Sequence, residues 1–191
     1  MSRNVFPRSL IRPFRLVLPF LVLAGGPALV QAAADFPSLC QPGEYAYLDA
    51  RMGKFDGNGV VRKSGKLVSL CADKPKEPFG RFVYRYGKPG EVEIEHVATA
   101  TEKAAITRRS TGPRMGEDII AFLRGPFTYY VVEATGMGQG ISVMVFKSGK
   151  KIADLFSGND AGTDFQSGGL LVNFERPASP VFEKKAPKDA F

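Results

Sequence analysis

The sequence predicts an all-β domain, an antiparallel β-sandwich or barrel of about eight or more strands with one disulfide. Its apolar segments are short, alternate in polarity and are separated by Gly and Pro, a pattern typical of antiparallel strands. Large apolar area comes from 15 Phe and 6 Tyr, and no long stretch keeps the 3.6-residue period of a helix. Because a sheet must cover its apolar face, so many strands imply a sandwich or a barrel.

The first 34 residues are predicted to be a cleavable secretory signal. Four arginines and no acidic residue precede a short apolar run at 16–24, and small residues follow. This order is typical of export signals, and cleavage after Ala34 or after Ala32 fits it. A transmembrane anchor is the alternative, but the run is shorter than the roughly 20 residues of a span and Pro19 interrupts it. The mature protein is therefore expected to be periplasmic or secreted, without a transmembrane segment.

Residues 35–176 are predicted to form a single β domain, and the Pro- and Lys-rich residues 177–191 a disordered tail. The net charge is +7, and removing the four arginines of the signal lowers it to +3. Such a mild excess argues against dedicated nucleic-acid binding. It is compatible with an anionic envelope partner and also with a simple contribution to solubility.

The only two cysteines, Cys40 and Cys71, both lie in the predicted mature chain. In an oxidising compartment such a pair predicts a disulfide, which would close a loop of about 30 residues and contribute roughly 3.5 kcal/mol. Two separate buried thiols are the alternative. Lipidation of Cys40 is disfavoured, because Leu39 stands where a small residue is expected.

The clearest hairpin joins residues 81–86 and 91–96 through Gly87–Gly90. Alternation places Tyr86 and Val92 on one apolar face, paired across a five-residue loop, and Arg85 opposite Glu93 on the other face. A second series of hairpins is predicted over 118–123, 127–132, 141–146 and 151–156. Weaker strand candidates lie at 45–50, 67–72, 104–109 and 169–174.

Two similar turns are rich in lysine and suggest a cationic rim. If they lie at the same end of the domain, their side chains could bind an anionic ligand. Lysines at turns also protect sheet edges from aggregation, which is the alternative role. The residues of this candidate rim are Lys63, Lys66, Lys147, Lys150 and Lys151.

No catalytic, metal or cofactor site is predicted. The single histidine, His96, falls on the apolar face of a hairpin, where a packed imidazole is expected rather than a general base. The loop after Asp56 resembles the middle of a calcium loop but lacks its first and last ligands. Asp160 and Asp164 could bind a cation weakly, although solvated turn residues are the simpler expectation.

Residues 67–72, 82–94, 127–129 and 143–152 form four stretches with hairpin signatures, and together they resemble a family of small exported proteins of Gram-negative bacteria that has no established activity. The resemblance spans most of residues 40–157, implies export and a β fold, and transfers no functional residue.

The expected function is non-catalytic binding of a protein or an envelope component by a β domain, including inhibition of a cell-wall hydrolase. One alternative is an envelope hydrolase using carboxylates such as Glu117, Asp118 and Asp154, which would have to converge in a cleft. The other is a structural or adhesive surface protein. The identity of the partner is not predicted.

Overall fold

The computed structural model describes residues 36–56, 58–167 and 172–185, and the predicted signal lies outside these ranges. They contain no helix and eleven strands, which confirms the all-β prediction. The strands are β1 Tyr45–Phe55, β2 Val61–Ala72, β3 Phe82–Lys88, β4 Glu91–Ala98, β5 Ala104–Gly112, β6 Met115–Arg124, β7 Phe127–Thr135, β8 Gly140–Lys147, β9 Lys150–Phe156, β10 Phe165–Ser167 and β11 Phe182–Lys184.

All eleven strands belong to one sheet. Their order is β11-β5-β6-β7-β8-β9-β1-β2-β3-β4, and β10 also pairs with β1. Every pairing is antiparallel except that of β11 with β5. The predicted hairpins of β6 to β9 are all present, because their short Gly-bearing connections leave neighbouring segments little choice of partner.

The sheet curls over its own core. Tyr84 in β3 and Phe122 in β6 have ring centroids 4.8 Å apart, although five strands separate β3 from β6 in the sheet. In a flat sheet, six strand spacings would hold them roughly 29 Å apart. The concave face therefore holds the main apolar core, whose fully buried members include Leu48, Val68, Ile106, Val131 and Val143. A smaller apolar cluster of Ile119, Ala121, Tyr130, Val132 and Phe146 alternates with core residues and so lies on the convex face.

The β3–β4 hairpin exists, but the predicted register is wrong by two residues. Tyr86 pairs with Ile94 rather than with Val92. The connection is a two-residue turn, and a bulge beside Gly87 takes up the difference. A side chain at position 87 would bring its Cβ to 2.3 Å from a backbone oxygen, so only glycine fits this bulge. A shift of two keeps each side chain on its predicted face.

The predicted disulfide joins Cys40 to Cys71, with the Cα atoms 5.6 Å apart. It ties residues 36–44, here called the strap, to the convex face of β2. Leu39 in the strap is buried, and its amide donates to the hydroxyl of Ser69 in β2 at 2.9 Å. The strap is thus part of the folded domain, held by covalent and polar contacts.

The prediction of a disordered tail is corrected for residues 177–185, while 186–191 lie outside the described residues. Val181 and Phe182 are buried, and β11 runs beside β5. The ring of Phe182 lies 5.0 Å from that of Phe82. Two apolar side chains anchor this segment in the core although its composition is otherwise polar. Of the weak strand candidate at 169–174, residues 172–174 are described and form no strand.

Candidate functional site

In an antiparallel sheet, the chain reverses at each turn, so every second turn along the chain lies at the same end of the sheet. By this rule, four hairpin turns lie at one end. They join β1 to β2, β3 to β4, β6 to β7, and β8 to β9. With three residues added on each side, these turns comprise 53–63, 86–93, 122–129 and 145–152, here called the tip end. The turns at the opposite end, extended in the same way, comprise 70–84, 110–117 and 133–142. Residues 154–167, around the β9–β10 connection, are counted with neither end, because Phe156 pairs with Gly53 and Asp164 contacts Lys63 of the tip end.

The two ends differ in charge. The tip end carries eight Lys or Arg and three Asp or Glu, whereas the opposite end carries four of each. The difference in net charge between the two ends is larger than the net charge of +3 expected for the whole mature chain. Because like charges on neighbouring turns reinforce one another, the tip end presents a cationic surface.

One of the two predicted lysine-rich turns is wrong, because residues 62–66 lie within β2 and the turn beside them is at 56–60. Both lysine-rich segments nevertheless lie towards the tip end, as a cationic rim requires. Lys147 and Lys150 are register partners across the β8–β9 turn, and within the described residues neither has a carboxylate in ion-pair range. The ammonium of Lys147 lies over the ring of Phe127 at 5.6 Å. Lys151 contacts Asp154 beside the same turn. Ligand binding by the rim remains a prediction.

The other two rim lysines, on β2, are more strongly neutralised. Lys63 contacts Asp164 at 2.7 Å, and Lys66 contacts Glu93 at 2.8 Å. Lys66 is also the member that lies furthest from the turn, three residues along β2 from Lys63. The cationic end is therefore built less by these two residues than by Lys54 and Lys150, which are exposed and have no such partner in the described part of the chain.

Exposed apolar side chains accompany the cations at the tip end. Phe55, at the end of β1, is 59% exposed, and its ring stacks on Phe156 with centroids 5.4 Å apart. Phe156 in turn lies over Gly140, where a Cβ would come within 2.7 Å of the ring. Glycine at 140 thus lets Phe156 lie flat and support Phe55. The sequence analysis did not single out these aromatic residues.

The acidic residues considered for hydrolysis do not converge. Glu117 and Asp118 are neighbours in β6 and so point to opposite faces, where they pair with Arg109 and Arg108 respectively. Asp154 is an exposed partner of Lys151. An envelope hydrolase would need these acids to converge in a cleft, and the three residues proposed for it do not.

Asp118 has a different acidic neighbour, Glu133, which is its register partner in β7. Burial raises the pKa of Glu133 although Ser167 hydrogen-bonds its carboxylate. Both acids line a cavity with Tyr47 and Phe174 that has room for roughly one water molecule. The space is too small for a sugar or a peptide. Alternation alone could not single out Glu133, because its partner depends on the register between β6 and β7.

His96 is a packed imidazole, as the sequence predicted. Its ring is 8% exposed and stacks on Phe122 with centroids 4.2 Å apart. Burial lowers the pKa of His96, so the ring is neutral at pH 7, and its Nε2 has no hydrogen-bond partner in the described residues. This ring contributes to the core rather than to a surface site.

A polar row, buried except at Glu95, lies beneath the strap and was not foreseen. Register aligns four side chains on the convex face of β1 to β4: Asp49, Ser69, Arg85 and Glu95. Glu95, and not Glu93 as predicted, receives the hydrogen bond from Arg85, at 2.7 Å. The row holds the strap, because Ser38 donates to Asp49 at 2.8 Å and Glu44 pairs with Arg85.

Two features resemble metal sites. Cys40, Cys71 and Glu44 place their ligand atoms within 4.8 Å of one another, but both sulfurs are joined in the disulfide and offer no thiolate. Asp56 accepts hydrogen bonds from the amides of Asn58 and Val60, an arrangement typical of a turn. Of the other two acids considered for a cation, Asp164 contacts Lys63.

Comparison with protein-family models, with curated proteins and with solved structures finds no match for this chain. The resemblance stated above therefore stays a prediction. Within the described ranges, no helix is long and apolar enough to cross a membrane.

Proposed function

We propose that this chain is an exported, non-catalytic binding domain of the cell envelope that holds an anionic component at its tip end. The observation that carries the proposal is the excess of basic over acidic residues at the tip end, which the opposite end lacks. A surface of one sign raises the local concentration of oppositely charged partners and speeds their association.

The rest of the fold agrees with a binding role. The concave face is filled by a continuous cluster of apolar side chains, so this face serves as a rigid support. The disulfide suits the oxidising compartment to which the predicted signal would deliver the chain. Hairpin turns on a rigid sheet are common positions for binding residues.

Retention of the purified protein on immobilised heparin, used as a model polyanion, tests this proposal. The variant Lys54→Gln/Lys150→Gln removes two exposed tip-end cations, and Lys74→Gln/Lys76→Gln removes two exposed cations from the opposite end. Both have the same net charge, so a general charge effect would shift their elution equally. We expect the tip-end variant to elute at clearly lower salt than the control. Equal elution would refute the proposal.

A further inference from the structure

The tip end combines its cations with exposed apolar side chains. Seven large hydrophobic side chains in the described residues are exposed, and five belong to the tip end. These five are Phe55 (59% exposed), Val60 (59%), Val92 (45%), Leu123 (66%) and Ile152 (52%). The remaining two, Tyr45 and Met137, are scattered over the rest of the domain.

Apolar and cationic side chains occur together at each of the four hairpins. Leu123 precedes Arg124 at the β6–β7 turn, and Ile152 follows Lys151 after the β8–β9 turn. Val92 lies four residues beyond Lys88 at the β3–β4 turn. The β1–β2 turn places Phe55 and Val60 between two basic residues, 54 and 62. Each of the four tips thus carries at least one apolar and one cationic group.

We infer that the anionic component is the surface of a lipid bilayer, contacted by the four hairpin tips. A soluble polyanion interacts with the cations only and gives no reason for exposed Leu, Ile and Phe side chains. A bilayer surface uses both groups, because apolar side chains enter the boundary of the acyl chains while Lys and Arg remain at anionic headgroups. This inference rests on the proposed function and names the class of its partner.

The support beneath the tips suits shallow insertion. Phe55 is held against Phe156, so its ring loses little conformational freedom on binding. The hairpins belong to one sheet, and the strands that lead into these four turns run in the same direction.

Sedimentation with vesicles tests the inference. The purified protein is mixed with phosphatidylcholine vesicles that either contain or lack phosphatidylglycerol as about one third of the lipid. We expect binding to the anionic vesicles, weak binding to the neutral ones, and a loss of binding as salt is added. Failure to bind the anionic vesicles, or equal binding to both kinds, would overturn the inference.

Two matched variants separate the apolar contribution from the charge. Leu123→Thr/Ile152→Thr removes apolar side chains from two tips, and Tyr45→Thr/Met137→Thr removes two exposed ones from elsewhere. We expect the first to bind anionic vesicles at least roughly tenfold more weakly than the second, with heparin retention unchanged in both. The tip-end lysine variant should lose both activities, by roughly fivefold per lysine on vesicles.

The outcomes distinguish the two proposals. If Leu123→Thr/Ile152→Thr sediments with anionic vesicles as well as its control does, the bilayer inference fails while a heparin result in favour of the tip end upholds the proposed function. If the lysine variant keeps both activities, both proposals fail. Near-ultraviolet circular dichroism of every variant verifies that the fold is intact before any binding is compared.

Discussion

Arg85 in β3 and Glu44 in the strap form a buried ion pair between residues 41 positions apart. The Nη1 and Nη2 atoms of Arg85 donate to the two carboxylate oxygens of Glu44 at 2.5 Å and 3.0 Å. The Arg85 side chain is completely buried, and Glu95 and Arg81 complete the network with one further charge of each sign. A guanidinium is tolerated in such a place only when its charge and its donors are matched.

We expect Glu44→Gln to lower the free energy of unfolding by about 3 kcal/mol, because it leaves the buried charge of Arg85 with a single carboxylate partner. Urea unfolding of the oxidised protein measures the change. Glu183→Gln, at an exposed ion pair with Lys185, is the control and should have an effect within about 0.5 kcal/mol. Equal effects of the two substitutions would contradict a structural role for the buried pair.

Acid should weaken the strap through the same carboxylate. Burial alone would raise the pKa of Glu44, but hydrogen bonds from Arg85, from the Gln41 amide and from Arg81 outweigh it and lower the pKa to about 2. Below pH 4.5 the unfolded state therefore binds more protons than the folded state. The stabilisation by Glu44 is present above that pH and is lost as the pH falls towards 2. Unfolding free energies across this window should fall less steeply for Glu44→Gln than for the wild type.

Reduction of the Cys40–Cys71 bond, or Cys40→Ser/Cys71→Ser, should lower the free energy of unfolding by about 3.5 kcal/mol. The strap should also respond locally, since without the bond only its polar contacts and Leu39 hold it to the sheet. Hydrogen exchange measured by mass spectrometry should show faster exchange in residues 36–44 than in β6 and β7. A uniform change throughout the domain would contradict the description of the strap as a separately attached segment.

Local sequence patterns were sufficient to predict much of this fold, but they did not predict the long-range pairings. The hairpins of β6 to β9 follow from alternation and short glycine-bearing turns. The register of β3 with β4 was missed because the bulge at Gly87 depends on how the turn closes. The partner of Arg85 was missed because nothing near it in sequence indicates Glu44. Likewise, two lysine-rich segments are visible in the sequence, but only the strand pairing shows that 62–66 is part of β2 rather than a turn, and only the strand order shows that both segments lie towards one end.

The C-terminal strand illustrates the same limit and leads to a further prediction. Pro and Lys dominate residues 177–191, so composition predicted disorder although Phe182 is only 4% exposed. Its ring contacts those of Phe82 and Phe79, with centroids 5.0 Å and 6.1 Å away. Phe182→Ala should therefore cost about 3–5 kcal/mol of unfolding free energy. Glu183→Ala, at the exposed neighbouring position, is the control, and equal small losses would mean that the segment is not docked in solution.

The contribution of Asp49 to stability should depend on pH in the opposite direction to that of Glu44. Its carboxylate is 1% exposed, Oδ1 accepts hydrogen bonds from Ser69 and Ser38, and Oδ2 has no partner among the described residues. Burial raises the pKa of Asp49 above its usual 3.8 despite these two hydrogen bonds. The folded state thus binds more protons than the unfolded state, and the contribution of Asp49 to stability falls as the pH rises through its folded pKa.

We therefore expect Asp49→Asn to increase the free energy of unfolding at neutral pH by about 1 kcal/mol, because it removes a desolvated charge and keeps an acceptor for both hydroxyls. The gain should shrink when unfolding is measured at acidic pH, below the raised pKa of Asp49, because the wild-type group is then protonated in the folded state. Asp49→Ala, in contrast, should destabilise at both pH values by about 1–3 kcal/mol, since it leaves the buried hydroxyl of Ser69 without its acceptor. A loss of stability in Asp49→Asn that is the same at both pH values would show that the carboxylate is not held in an environment that disfavours its charge.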